Sequence, residues 1–171
     1  MPRTLVIQKL TRIYNQESKD VDRATERRFL EQVVPVDERE ERLFEEISNG
    51  NIPDFLRTLT KITTSFNDNS GVAHAVSYEV MPDYLAVGSD EDFCRVPMGP
   101  ITAQKIADLF GMTMPTRKLV DNIYINCDIK LEPVTYPWHE RNTLVPKFVE
   151  HNDAIETQRE VASARLGQLV G

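Results

Sequence analysis

Cysteine is scarce in this chain: Cys94 and Cys127 are the only two in 171 residues. That number and spacing match neither a disulfide framework nor a metal-ligand pattern, so both read as buried or half-buried thiols in a reducing setting. Long apolar runs are missing as well. The opening MPRTLVIQKLTRIYNQ is too short in its apolar part for a secretory core and has no small-residue cleavage site after it. No segment reaches membrane-spanning length, and the expectation is a cytoplasmic chain without membrane contact. Positive charge is in deficit: 20 Lys and Arg face 27 Asp and Glu, a net charge of -7. That balance argues against non-specific nucleic-acid binding, which requires a basic surface to displace counterions. No complete catalytic signature, internal repeat or low-complexity tract is present, and no cofactor is implied.

What is present suggests an α+β chain organised around residues 71–124, where strand signals precede helix signals. Residues 4–14 fit a short helix, with Leu5, Val6, Leu10, Ile13 and Tyr14 on one face. Residues 20–34 form a charged, shallow helical stripe that Pro35 stops. A second acidic helix, DEREERLFEEIS, starts at Asp37 and has Leu43, Phe44 and Ile47 as its apolar side. After the stop at Asn49-Gly50-Asn51, Pro53 restarts the chain. Phe55, Leu56, Leu59 and Ile62 continue a helical stripe, although the β-branched residues in 60–66 favour an extended segment. The polar cluster Asn67-Asp68-Asn69-Ser70-Gly71 is the best internal boundary. It separates an N-terminal helical arm or cap, residues 1–66, from an α+β body, residues 67–171.

Within the body, residues 73–81 alternate as a half-buried strand, 84–87 make a second and 93–98 a third. Loop lengths favour an antiparallel β-meander. A helix follows over 100–110, with Thr102 as its cap and Gly111 at its stop, then a second from Pro115, giving a helical hairpin packed on the meander. A fourth strand is expected over 128–134 and a long C-terminal helix over 146–169.

Residues 102–123 resemble a helix-turn-helix, with Ala107, Gly111 and Val120 well placed. Arg117 stands where that motif requires an aliphatic residue, and Pro115 opens the would-be recognition helix, so DNA binding ranks last. Arg117 and Lys118 instead oppose the helix dipole and call for a compensating anion. An internal carboxylate from Asp83, Asp90, Glu91 or Asp92 is the favoured answer, and an anionic small molecule the other. Asp90-Glu91-Asp92 lacks calcium-loop spacing and reads as a solvated turn. His151 and Gln158 lie near one face of the last helix with Phe148 and Ile155, which makes His151 a candidate general base oriented by Asn152 or Asp153. A hydrogen-bonded histidine at the edge of the core is the more ordinary reading. His139 is too ambiguously spaced to form a zinc pair with it, His74 reads as structural, and no metal site is expected.

The blocks MPDYLAVGSDEDF and PITAQKIAD…PTRKLVD, with NGNIPDFLR before and FVEHNDAIETQR after, resemble a family of bacterial proteins without an established biochemical activity. The resemblance covers residues 41–171. It implies a longer protein, of which this chain is the N-terminal part, and relatives that are exported. Two functional expectations follow. One is a hydrolase-like protein in which Tyr78, Asp83, Arg117, Lys118 and Gln158 line a polar cleft with His151 as the catalytic residue. The other is a non-catalytic protein-binding or assembly module, whose acidic helical arm, residues 20–47, engages a partner protein.

Overall fold

The computed structural model describes residues 36–137 and 145–171. The helix expected over 4–14, the stripe over 20–34 and His139 lie outside the described residues. Among the described residues the fold is α+β, with four α-helices and two small antiparallel sheets.

Helix α1, Val36–Ser48, carries Asp37 and Glu38 in its first turn, where carboxylates suit the helix dipole. Glu38 pairs with Arg42 one turn on, and Leu43 and Ile47, four apart, bury the opposite face. Gly50, at φ 79°, reverses the chain. The helical continuation expected from Phe55 is replaced by a single 3-10 turn, Asp54–Arg57, with Phe55 and Leu56 buried. The β-branched run then prevails: Thr60–Asn67 is strand β1. It pairs antiparallel with β2, Ala73–Val80, from Thr60↔Val80 to Asn67↔Ala73. Asp68 Oδ1 closes the turn by accepting from the Ser70 and Val72 N–H groups.

Strand β3, Ala86–Ser89, pairs antiparallel with β4, Asp92–Arg95, in a separate sheet. The expected meander is thus divided into two hairpins, because Pro82 and Asp83 turn the chain away after β2. Helix α2, Pro100–Leu109, has Pro100 in its first turn and Gly99 as its N-cap. Thr102, expected as the cap, is buried inside the first turn and does not cap the helix, while Glu40 Oε2 of α1 accepts from the N–H of the N-cap residue Gly99 at 2.9 Å. Gly111, at φ 65°, stops α2 as expected. In α3, Arg117–Asn126, the Thr116 side chain accepts from the Leu119 N–H. The last helix, α4, covers Val145–Val161 and ends well before the expected 169, where Ser163 takes φ 52°. Its tail returns so that Val170 bridges Ile129 in parallel and donates to the Pro82 carbonyl. That bridge is all that forms of the strand expected over 128–134.

The core gathers Leu43 and Ile47 of α1, Ile52, Val87, Cys94 and Ile106, with Phe148 and Val149 of α4 against it. A smaller cluster joins Phe55, Leu56 and Ala86. Neither contains a residue of β1, β2 or α3. Helix α2 packs on α1, whereas α3 packs on β1, so the two consecutive helices take different partners.

Candidate functional site

The most enclosed polar group centres on Asp83, placed by the Pro82-Asp83 turn between the two hairpins. Its carboxylate accepts from Arg95 Nε (2.9 Å) and Nη2 (2.5 Å), from Arg159 Nη1 (3.0 Å) and from the Tyr84 N–H (2.7 Å). Four bonds fill the acceptor positions of one carboxylate. Arg95 also donates to Glu156 (2.7 Å) and Asn152 (3.0 Å), and Arg159 to the Arg165 carbonyl (3.2 Å). Burial works against the Arg95 charge, yet Asp83 and Glu156 outweigh it and push its pKa above the ordinary value. Two guanidiniums facing two carboxylates leave the cluster neutral. It ties β4 and α4 to the turn, and Asp83 retains no free acceptor for a ligand.

Beside it opens a shallow cavity of about 310 Å³, bordered by Asp90, Asp92, Phe93, Glu156, Arg159 and Glu160 among others. Asp90 is partly committed, since its Oδ1 accepts from the Phe55 N–H at 3.0 Å. Among the described residues no group of three or more His, Cys, Asp or Glu side chains is placed to hold a metal ion. None of the six side chains singled out from the sequence borders this cavity.

His151 is half-buried with the Tyr136 ring 6.2 Å away, and among the described residues no hydrogen bond or ion pair reaches its imidazole. Asn152 does not orient it: its Oδ1 accepts from Arg95, and its Nδ2 donates to the Phe93 carbonyl. Asp153 is exposed, its carboxyl raised by partial burial and by Glu156. Gln158 holds the extended segment after α3, donating to the Glu132 carbonyl (3.0 Å) and accepting from its N–H (2.8 Å). The Cys94 thiol is pushed up to about 12, first by burial, which makes it a poor nucleophile.

The remaining candidates sit on β2 and α3. The Tyr78 hydroxyl donates to Asn122 Oδ1 (2.5 Å), and Asn122 Nδ2 donates to Thr64 (3.2 Å), pinning α3 to the β1–β2 hairpin. Lys118 places its ammonium 5.2 Å from the Phe66 ring centroid. The compensation expected from Asp83, Asp90, Glu91 or Asp92 is not made among the described residues: Asp83 is held by arginines, and no carboxylate there lies within salt-bridge distance of Arg117 or Lys118. The six candidates therefore fall into separate settings instead of lining one cleft.

Around α3 and the turn before it, apolar side chains stand open to solvent. Leu109 is 51% exposed, Met112 37%, Met114 41% and Val120 49%, and α3 buries no residue at all. Val120 falls where a helix-turn-helix buries its second helix, so its sequence position gives no sign of this surface. Sequence reasoning also missed Arg95, Glu156 and Arg159, and gave Asn152 a different role. Charged and polar residues are common along β4 and α4, and nothing local marks Arg95, Asn152 and Arg159 as buried. Compared with protein-family models, with curated proteins and with solved structures, the chain matches none.

Proposed function

We propose that this chain is a non-catalytic protein-binding module that engages its partner through the elbow between α2 and α3. One observation carries this reading: Leu109, Met112, Met114 and Val120 are all more than a third exposed within twelve positions of chain. Fully burying a side chain of this kind stabilises by about 1.5–3 kcal/mol, so a partner covering four half-exposed ones gains several kcal/mol. The methionines suit the role, because an unbranched thioether adapts to an irregular surface. A ten-residue helix is marginal on its own, and α3 gains little from the rest of the fold, so a covering partner also stabilises it.

The hydrolase-like alternative keeps the family resemblance as its support, and no observation among the described residues favours it. Among the described residues no acid or nucleophile is hydrogen-bonded to His151, and burial holds the Cys94 thiol well above its ordinary pKa. None of the described helices is long and apolar enough to cross a membrane.

Panning a displayed peptide library against the chain tests the proposal. Selected peptides should lose binding to a Leu109→Ser, Met114→Ser variant and keep it with His151→Ala. Peptides indifferent to the first pair of changes would refute the elbow as the docking site.

A further inference from the structure

We infer that the segment docking on the α2–α3 elbow is acidic and amphipathic, with apolar side chains flanked by carboxylates. This rests on the elbow being the docking surface and adds the chemistry of the partner. The argument is charge complementarity. The chain carries -7 in all, yet residues 99–126 hold Lys105, Arg117 and Lys118 against Asp108 and Asp121, a local balance of 3 − 2 = +1, which leaves -8 for the rest.

These cations are not consumed within the fold. Among the described residues, neither Lys105 nor Arg117 has a carboxylate within 4.0 Å, and Lys118 rests on the Phe66 ring. Asp108 accepts from Gln104 and is not turned to a cation. Asp121 is exposed and would repel an acidic partner near the middle of α3, so the preference arises at the α2 side and the start of α3. There Arg117 and Lys118 also oppose the α3 dipole, which an incoming carboxylate relieves.

A second copy of the chain fits poorly. Among the described residues the acidic helix α1 has already buried Leu43 and Ile47, so it offers carboxylates without those apolar side chains to fill the elbow. Anionic lipid is a different source of negative charge beside apolar groups, and the experiment separates it.

The probes are two labelled helical peptides with the same leucine spacing, one bearing glutamates on its flanks and the other lysines, followed by fluorescence anisotropy. The glutamate peptide should bind about fivefold to tenfold tighter at low salt, as expected for two or three exposed pairs, with the advantage shrinking as salt rises. Lys105→Glu with Arg117→Glu should reverse the order. If both peptides bind equally and both are lost in the Leu109→Ser, Met114→Ser variant, the elbow stands as a docking site and the acidic partner is overturned. If neither binds, or if the preference survives the charge reversal, the inference is overturned. Sedimentation showing self-association abolished by Arg117→Glu would assign the elbow to a second copy. Binding to phosphatidylserine vesicles tighter than to the glutamate peptide would assign it to lipid. Either result also overturns the inference.

Discussion

Removing the Asp83 carboxylate would leave the nearly buried Arg95 and Arg159 guanidiniums sharing Glu156 as their one remaining carboxylate among the described residues. Their side chains are 7% and 3% exposed. Asp83→Ala should therefore destabilise by about 3–5 kcal/mol in urea unfolding, the usual consequence of leaving a buried charge uncompensated. A loss under 1 kcal/mol would mean that water reaches the cluster. Asp83 was singled out from sequence for its charge, but its partners lie 12 and 76 residues further on, distances at which no local pattern operates. Glu40 gives a second residue-scale outcome. Burial raises its carboxyl, but the Thr102 hydroxyl, the Gly99 N–H and Arg39 outweigh burial and hold it below its ordinary value of 4.5. A depressed carboxyl stabilises fully above that ordinary value, and the contribution is lost as pH falls through the depressed one. Glu40→Gln should thus cost about 0.5–2 kcal/mol at neutral pH, the range of a lost helix cap, and progressively less below pH 4.5. Paired denaturation curves at the two pH values check it; an equal loss at both would contradict the charge-based account.

The elements whose ends are set by local chemistry were the legible ones. Gly111 stops α2 as expected because its positive φ acts locally, whereas the helix starts were less legible: Thr116 caps α3 where Pro115 was expected to open it, and Thr102 is not the cap of α2. The β1 assignment depended on whether an apolar stripe or a β-branched run would prevail, and pairing with β2 decided it. The C-terminal helix was read too long because Leu166 and Leu169 keep its periodicity. Leu169 is buried in a returning tail instead, and Leu166 stays exposed. The β3–β4 hairpin shows the local constraint most clearly. Gly88 sits at φ 125°, and a Cβ there would lie 2.2 Å from the Asp92 carbonyl oxygen. Gly88→Ala should cost at least about 1–3 kcal/mol from backbone strain alone. Thermal unfolding measures it, and an unchanged midpoint would show that the hairpin relaxes without penalty.

Across the whole molecule, packing divides the chain unevenly. Helices α1, α2 and α4 converge with β3 and β4 on the buried clusters, and β4 and α4 also meet at Asp83, whereas β1, β2 and α3 lean on one another through Tyr78, Asn122 and Thr64. The proposed docking surface borders this thinly packed side, and that is why it was illegible. Val120 has the spacing of a core residue, and only the missing cover shows that it is not one. Regions with few buried apolar contacts open at lower free energy than the core that carries them. Native-state hydrogen exchange should accordingly resolve two tiers, with β1, β2 and α3 amides exchanging through a partial opening and core amides only through global unfolding. Tyr78→Phe, which removes the bond to Asn122, should lower the first tier by about 0.5–1.5 kcal/mol and leave the second unchanged. Asp83→Ala should lower the second and spare the first wherever the first still lies below it. If either substitution moved both tiers equally, the molecule would be one cooperative unit, and the proposed stabilisation of α3 by a covering partner would lose its basis.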